Sequence, residues 1–268
     1  SLDFENKYVL SKQIFEEIED ISQINVRKII SDENNKLLNQ TNYTQICIFA
    51  ASIVIYKTMI DQIGIDNINP KFVMGHSLGE YTSLVANNVL SLKDASKLIK
   101  TRGALMNTAI EPNLSGMAAI IGKDSDFIEN IIKSNNLNIE IANDNSQTQI
   151  VVSGLIDDIK ASEIFFVSSG VKRYIKLNVS AAFHSKYMKK AQLKFSSLIN
   201  EINFEESNIP IISNYDASIN SSTISIINAL KEQMANKVRW TESVKKLESI
   251  KQTKIIEIGP GKVLSGLI

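Results

Sequence analysis

Cysteine, proline, glycine and histidine are all scarce in this chain, and each shortage narrows what it can be. Its 268 residues include one cysteine, four prolines, eleven glycines, two histidines and one tryptophan. One cysteine cannot build a disulfide framework, and Cys47 lies inside the apolar run from Ile46 to Ile55, where a core thiol is expected. A reducing cytoplasm is the natural setting. Charge of one sign is missing too: Lys plus Arg and Asp plus Glu both total 29, leaving no electrostatic footprint for nucleic acid. No apolar run approaches the ~20 residues that span a bilayer, so no membrane segment is expected. Tandem repeats and low-complexity linkers are lacking, and the abundance of Asn, Ile and Lys reads as compositional bias. The chain opens at Ser1 with neither a methionine nor a signal peptide, so its true start is expected to lie upstream. Its length is generous for one compact unit and suits a main body carrying a smaller insertion.

What is present centres on Gly75-His76-Ser77-Leu78-Gly79. A bare G-x-S-x-G arises by chance in about one chain in ten of this length, so its surroundings must decide. Before it, Lys71 to Met74 can form a short buried strand. After it, Leu78 to Asn88 has helical spacing, with Leu78, Tyr81, Leu84 and Val85 on one face. Strand, tight turn and helix make a nucleophile elbow: the serine hydroxyl is exposed, and small flanking residues let the backbones pass closely. The helix N-terminus faces that oxygen, with the Leu78 N–H placed to receive developing negative charge.

The order of elements shows where the insertion lies. Up to about residue 114 the chain reads mostly as helices around the strand at 71–75, with strong helices over Tyr43–Ile60 and Ser91–Ile110. Next come strand Met117–Ile121, helix Ser125–Lys133, strands Ile139–Ala142 and Gln149–Ser153, helix Ile156–Val167 and strand Val171–Val179. That β-α-β-β-α-β order within about 65 residues is the ferredoxin-like arrangement. Helix Ser185–Ile202, strand Ile209–Ser213, helices Ser222–Ala235 and Thr241–Ile250, and strand Lys254–Ile258 follow, before a Gly259-Pro260-Gly261 turn. The expected fold class is α/β. A large α/β-hydrolase-like domain with a short parallel sheet (1–114 and 182–268) carries an inserted ferredoxin-like βαββαβ subdomain (115–181).

A serine nucleophile needs a base. His76 abuts Ser77 and is turned elsewhere by the elbow, so His184 is the candidate; it follows the last inserted strand and can stand at the cleft between the two units. A surface loop histidine is the alternative. Arg102 is the other anomaly, for it interrupts the stripe of Ala95, Leu98, Ile99, Leu105, Met106 and Ala109. A guanidinium there either pairs with a carboxylate such as Glu80 or meets a charged ligand, binding a carboxylate through two parallel bonds. Ser91 with Asp94 caps that helix.

Seven stretches, in order, resemble the malonyl-CoA:acyl-carrier-protein transacylase family: GHSLGEYTSLV (75–85), TRGALM (101–106), GMAAIIG (116–122), NDNSQTQIVVSG (143–154), VSAAFHSKYM (179–188), RWTES (239–243) and EIGPGKVLSGL (257–267). The resemblance implies Ser77 as the acyl-accepting nucleophile, His184 as general base and acid, and the Leu78 N–H as oxyanion donor. It implies Arg102 as clamp for the malonyl carboxylate, and the backbone carbonyl of Gln233 as the group orienting His184. His76, Met106 and Phe183 join Arg102 as substrate-binding positions, and Asn143 and Asn145 align near the pantetheine entrance. The Ala-Phe before His184 and the Leu after Ser77 resemble the malonyl-selective forms. The implied partners are malonyl-CoA and acyl carrier protein, with no cofactor, no metal, no nucleic acid and no membrane, in a monomer. The family opens with a G-Q-G-x-Q loop supplying a second oxyanion donor. Nothing before Lys7 matches it, so that loop is expected to lie outside these residues or to be lost; loss of such a donor lowers the rate ~10²–10³-fold.

The implied activity is malonyl transfer for fatty-acid synthesis, with service to a polyketide synthase as the alternative. A serine thioesterase or lipase would need its acid between Ser and His in chain order. Asp144, Asp157 and Asp158 lie there, but within the inserted unit, and a hydrolase gives no reason for Arg102. A silent carrier-protein docking module is the third reading, against which stand Ser77, His184 and Arg102.

Overall fold

A long apolar helix organises the fold. The structure, a computed structural model, describes residues 1–32, 34, 36–249 and 254–268. After α1 (Leu2–Glu5), α2 (Val9–Ser22) and α3 (Val26–Ser31) comes α4 (Thr41–Ile63). α4 is apolar on most of its circumference, as a helix wrapped by neighbours must be. Ile46, Phe49, Ala50, Ile53 and Val54 are buried among residues of α2, α5 (Leu78–Ala86) and α6 (Leu92–Asn107). Here the sequence expectation needs correction: α4 is long and apolar enough to cross a membrane, because Thr41–Gln45 and the largely uncharged Tyr56–Ile63 extend it beyond the run at 46–55. Half of its most apolar stretch is buried inside the protein. Cys47 lies in this core, where burial pushes its thiol up to about 12.

Ser91 begins α6 as expected: its Oγ accepts from the Asp94 N–H at 3.0 Å and donates to the Asp94 carboxylate at 2.7 Å. Between α4 and α5, β1 (Val73–Met74) pairs in parallel with β6 (Ile211–Ile212), which pairs antiparallel with β7 (Ile219–Asn220). α9 (Lys189–Ile199) and α10 (Thr223–Glu232) pack Phe195 and Leu230 into the same core.

The second sheet has the strand order β5-β2-β4-β3-β8. β2 (Ser115–Ile121), β3 (Ile139–Ser146), β4 (Gln149–Leu155) and β5 (Arg173–Lys176) are antiparallel neighbours. α7 (Ser125–Ser134) and α8 (Ile156–Ser168) cover it, burying Ile120, Ile128, Ile150, Val152, Ile159 and Phe166. β8 (Val238–Arg239), from late in the chain, adds to β3 in parallel and runs into α11 (Trp240–Ser249). Thr241 Oγ1 then donates to Asp144 Oδ1 at 2.5 Å, tying α11 to β3.

Several boundaries differ from expectation for local reasons. β3 runs on to Ser146 through polar residues and two register shifts, which alternation of apolar residues could not reveal. The strand expected at 171–179 pairs only over Arg173–Lys176. The strand expected at 209–213 pairs only over Ile211–Ile212. The helix expected from Ser185 starts as a 3-10 turn, Lys186–Met188, before α9; the helix expected to reach Ala235 ends in a second 3-10 turn, Gln233–Ala235. Residues 254–258 join no ladder among the described residues, contrary to the expected strand. Ile250, the expected end of the last helix, lies outside the described residues.

Candidate active site

Ser77 stands between β1 and α5 with φ 51° and ψ −105°, a conformation that L-residues avoid. The turn is tight because the Gly75 and Gly79 backbones touch. A Cβ on Gly75 would lie 2.0 Å from the Gly79 carbonyl, whereas one on Gly79 would meet nothing within 4 Å. Only the first glycine is therefore sterically required, a narrower demand than small residues at both flanks. Asn214, just beyond β6, holds the turn from below. Its Oδ1 accepts from the Ser77 N–H at 2.6 Å, and its Nδ2 donates to the Gly75 carbonyl at 2.7 Å. Leu78 is the first residue of α5, and its N–H has no hydrogen-bond partner among the described residues. It is one of the free donors that every helix N-terminus presents.

His184 reaches Ser77 from the segment after β5. Its Nε2 lies 2.8 Å from Ser77 Oγ, and its Nδ1 donates to the Gln233 carbonyl at 3.1 Å. That carbonyl is available because Gln233 caps the C-terminus of α10, where carbonyls have no partner inside the helix. A carbonyl only accepts, so Nδ1 carries the proton and Nε2 is left to accept one from the serine. His184 is 4 % exposed. Burial, and then the positive charge of Arg102, push it down to about 3, so its ring is neutral near neutral pH.

Arg102 is 1 % exposed and forms no ion pair among the described residues. The expected alternative, a direct Glu80 pair, is absent. Nη1 donates to Gln45 Oε1 at 2.5 Å, while Nη2 donates to Gln233 Oε1 at 2.9 Å and to Ser77 Oγ at 3.1 Å. The guanidinium also lies 5.2 Å from the centroid of the Tyr81 ring, and its buried Nε has no partner. A buried cation whose hydrogen bonds all go to neutral groups, with one donor unused and Glu80 reached only through Gln233, is suited to take up an anion.

The remaining candidates lie around this centre. Met106, buried one turn beyond Arg102, accepts from Gln45 Nε2 through its sulfur at 3.5 Å and so steadies the residue that Arg102 touches. Phe183 is half-buried between the main core and the cluster of Met117, Ala119, Ala142 and Val151; its carbonyl accepts from Ser153 Oγ at 2.6 Å. The His76 ring turns away from Ser77, its Nε2 2.8 Å from Asn145 Oδ1 and its centroid 5.5 Å from that of Trp240. Asn145 thereby links the elbow to the five-stranded sheet. Asn143 is in register with Val238 of β8. Ser77, His184, Gln233 and Arg102 thus share one hydrogen-bonded group, which His76 and Asn145 adjoin.

Sequence reasoning missed three contributors, Gln45, Asn214 and the Gln233 side chain, and it named Glu80 only as a pairing partner for Arg102, not as the acceptor for Gln233 and Asn214 that the fold makes it. Gln233 Nε2 donates to the Ser77 carbonyl at 2.9 Å and to Glu80 Oε2 at 2.6 Å, in addition to the role of its backbone. A signal existed for Glu80, four residues before Leu84 on the buried stripe of α5, where a carboxylate needs a reason. Gln45 and Asn214 left no local trace.

Comparison with known proteins places this geometry. The model of the acyl transferase domain matches residues 11–266. The chain belongs to this acyl transferase family. The malonyl CoA-acyl carrier protein transacylase of Bacillus subtilis is 34% identical over 262 residues, covering 96% of this chain and 81% of that protein. The crystal structure of an acyl carrier protein S-malonyltransferase from Vibrio cholerae superposes with a TM-score of 0.93 at 34% identity, over 99% of this chain and 87% of the other. A malonyl-transacylase in complex with a type II polyketide synthase acyl-carrier protein gives the same TM-score of 0.93 at 32% identity, over 99% and 86%. The mixed α/β architecture is therefore that of S-malonyltransferase members of the acyl transferase family.

Proposed function

We propose that this acyl transferase moves a malonyl group from malonyl-CoA to the pantetheine thiol of an acyl carrier protein, through a malonyl ester on Ser77. One observation carries the assignment of residues: a serine hydroxyl shared between a neutral histidine and a buried arginine that no carboxylate contacts directly. The malonyl carboxylate is the anion such an arginine would take, through two parallel charge-assisted bonds.

The chemistry then follows. Ser77 Oγ attacks the thioester carbon as its proton passes to His184 Nε2, and the new C–O bond leaves a tetrahedral oxyanion facing the Leu78 N–H. The imidazolium is stabilised by the Gln233 carbonyl at Nδ1. Its formation is opposed by the charge of Arg102, and a carboxylate bound there offsets that charge. Collapse breaks the C–S bond, and His184 returns its proton to the departing CoA sulfur. The carrier thiol repeats the sequence in reverse, giving its proton to His184 and taking the malonyl group from Ser77. Every step uses only this chain and its two substrates.

Residues 115–181 read as a ferredoxin-like βαββαβ insertion between hydrolase-like halves at 1–114 and 182–268, a division supported by the order β5-β2-β4-β3 and its two covering helices. We place the pantetheine arm near Asn145 and Asn143, where that sheet meets the elbow, and Phe183 against the acyl group. Fatty-acid synthesis is the pathway proposed; likeness to the transacylase bound to a polyketide carrier favours polyketide synthesis as the second reading. The test incubates the protein with malonyl-CoA and a holo carrier protein. Malonyl on the carrier thiol is expected. Free malonate and CoA would instead mean a hydrolase, and no CoA release a docking module.

A further inference from the structure

Glu80 is a buried carboxylate that the transfer chemistry leaves unused. It is 2 % exposed, lies on α5 three residues after the nucleophile, and has no cation in direct contact among the described residues. Instead Oε2 accepts from Gln233 Nε2 at 2.6 Å and from the Asn214 N–H at 3.3 Å.

Both neighbours hold the reacting groups. When Glu80 is ionised, the Gln233 amide faces two acceptors with its nitrogen, Glu80 Oε2 and the Ser77 carbonyl, so its oxygen faces Arg102. The same residue supplies the carbonyl that fixes His184. Asn214 holds Ser77 N–H and Gly75 carbonyl. We infer that Glu80 is a positioning residue for acyl transfer, its carboxylate acting through Gln233 and Asn214 to keep Ser77, His184 and Arg102 in one register. The inference deepens the transferase reading and rests on it.

A structural filler would not need charge at this position. Burial holds the Glu80 carboxyl up at about 7, against downward pulls from Gln233, Asn214, Ser213 and Arg102. Arg102 from α6 and Tyr81 on its own helix are the ionisable side chains acting on it; Gln233, Asn214 and Ser213 face it as neutral groups. A carboxyl raised from 4.5 to about 7 by folding destabilises the fold as pH rises through that window, and fully above it. Glu80→Gln removes this destabilisation while replacing a charge-assisted bond to Gln233 by a weaker neutral one. It should therefore slow the reaction without lowering thermal stability.

The experiment compares wild type with Glu80→Gln and Glu80→Asp by intact mass, using malonyl-CoA and, separately, phenylmethylsulfonyl fluoride. The fluoride carries no carboxylate and reads the serine nucleophile alone, forming the Oγ–S bond with loss of fluoride. Glu80→Gln is expected to slow both modifications of Ser77 roughly 10- to 100-fold, since small misplacements of reacting groups cost up to about that much. Glu80→Asp keeps the charge but lacks the reach, and should fall equally far. The wild-type rate should drop as pH falls from about 8 to about 6, a drop absent in Glu80→Gln. His184, held at about 3, cannot produce it. Wild-type rates in Glu80→Gln would overturn the inference, as would a loss matched by lower thermal stability. If the variants do not fold, a flat wild-type profile overturns it and the drop supports it. Sulfonylation without malonylation in wild type would sink the transferase reading while the Glu80 comparison still stands.

Discussion

Replacing Arg102 by alanine separates substrate recognition from nucleophile chemistry. The guanidinium is buried, has no carboxylate partner, keeps one nitrogen unpaired and lies 3.1 Å from Ser77 Oγ. A malonyl carboxylate entering a site without it would be desolvated and unpaired. Losing one partner of such a pair costs about 2–5 kcal/mol, or roughly 30-fold to several thousand-fold in kcat/KM for malonyl-CoA. Acetyl-CoA lacks the carboxylate and escapes that penalty. Stability changes through opposing effects. Gln45 Oε1 and Gln233 Oε1 lose their Arg102 donor, costing about 1–3 kcal/mol for each buried acceptor left unsatisfied. Against that, a buried unpaired cation is removed. Arg102→Lys keeps the charge but cannot span Gln45, Gln233 and a carboxylate together, and should recover only part of the malonyl rate. The assay is steady-state transfer to a carrier protein from malonyl- and acetyl-CoA, normalised to folded protein. The expected result is collapse or inversion of the malonyl preference. Equal losses for the two thioesters would refute the carboxylate role and leave Arg102 as a scaffold for Gln45 and Gln233.

Two further predictions follow from the elbow and its base. Gly75→Ala places a methyl group 2.0 Å from the Gly79 carbonyl, so the turn must open; a lowered thermal midpoint with loss of Ser77 acylation is expected, and a wild-type midpoint would contradict the close approach. His184 falls from 6.5 to about 3 on folding, so its contribution to stability is full above 6.5 and lost as pH falls toward about 3. His184→Gln should therefore flatten the acid side of the stability curve and slow acylation severely, leaving the residual ~10³–10⁴-fold over water that binding and oxyanion contacts provide. Coincident acid limbs would show that the imidazole is not buried in its neutral form.

What was legible in the sequence was local. The elbow is written within Val73–Leu84, where a half-buried strand, a glycine that admits no Cβ and a periodic helix follow one another. The elements of the inserted unit were legible because β2 and β4 are apolar runs and α7 has a clear polar face and an Asp124 cap. Strands β6, β7 and β8 have two residues each, too few for any alternation to register, and β8 exists only because β3 offers it an edge. The hydrogen bonds around Arg102 join Gln45, Ser77 and Gln233, which are separated by up to 188 residues in sequence (233 less 45). No spacing rule connects α4 to the end of α10, and so the neutral partners of the guanidinium came only from the fold. Glu80 was legible only as a carboxylate able to pair with Arg102, because its actual contacts depend on where Gln233 and Asn214 arrive.

The central claim is that acyl transfer passes through Ser77, and trapping the intermediate tests it most directly. Wild-type protein is mixed with malonyl-CoA, quenched, and its malonyl mass increment mapped by peptide fragmentation before and after a chase with holo carrier protein. The increment should sit on Ser77, disappear on the chase with stoichiometric appearance on the carrier thiol, and be absent in a folded Ser77→Ala variant. A malonyl group on another residue, or one that persists in Ser77→Ala, would contradict the account.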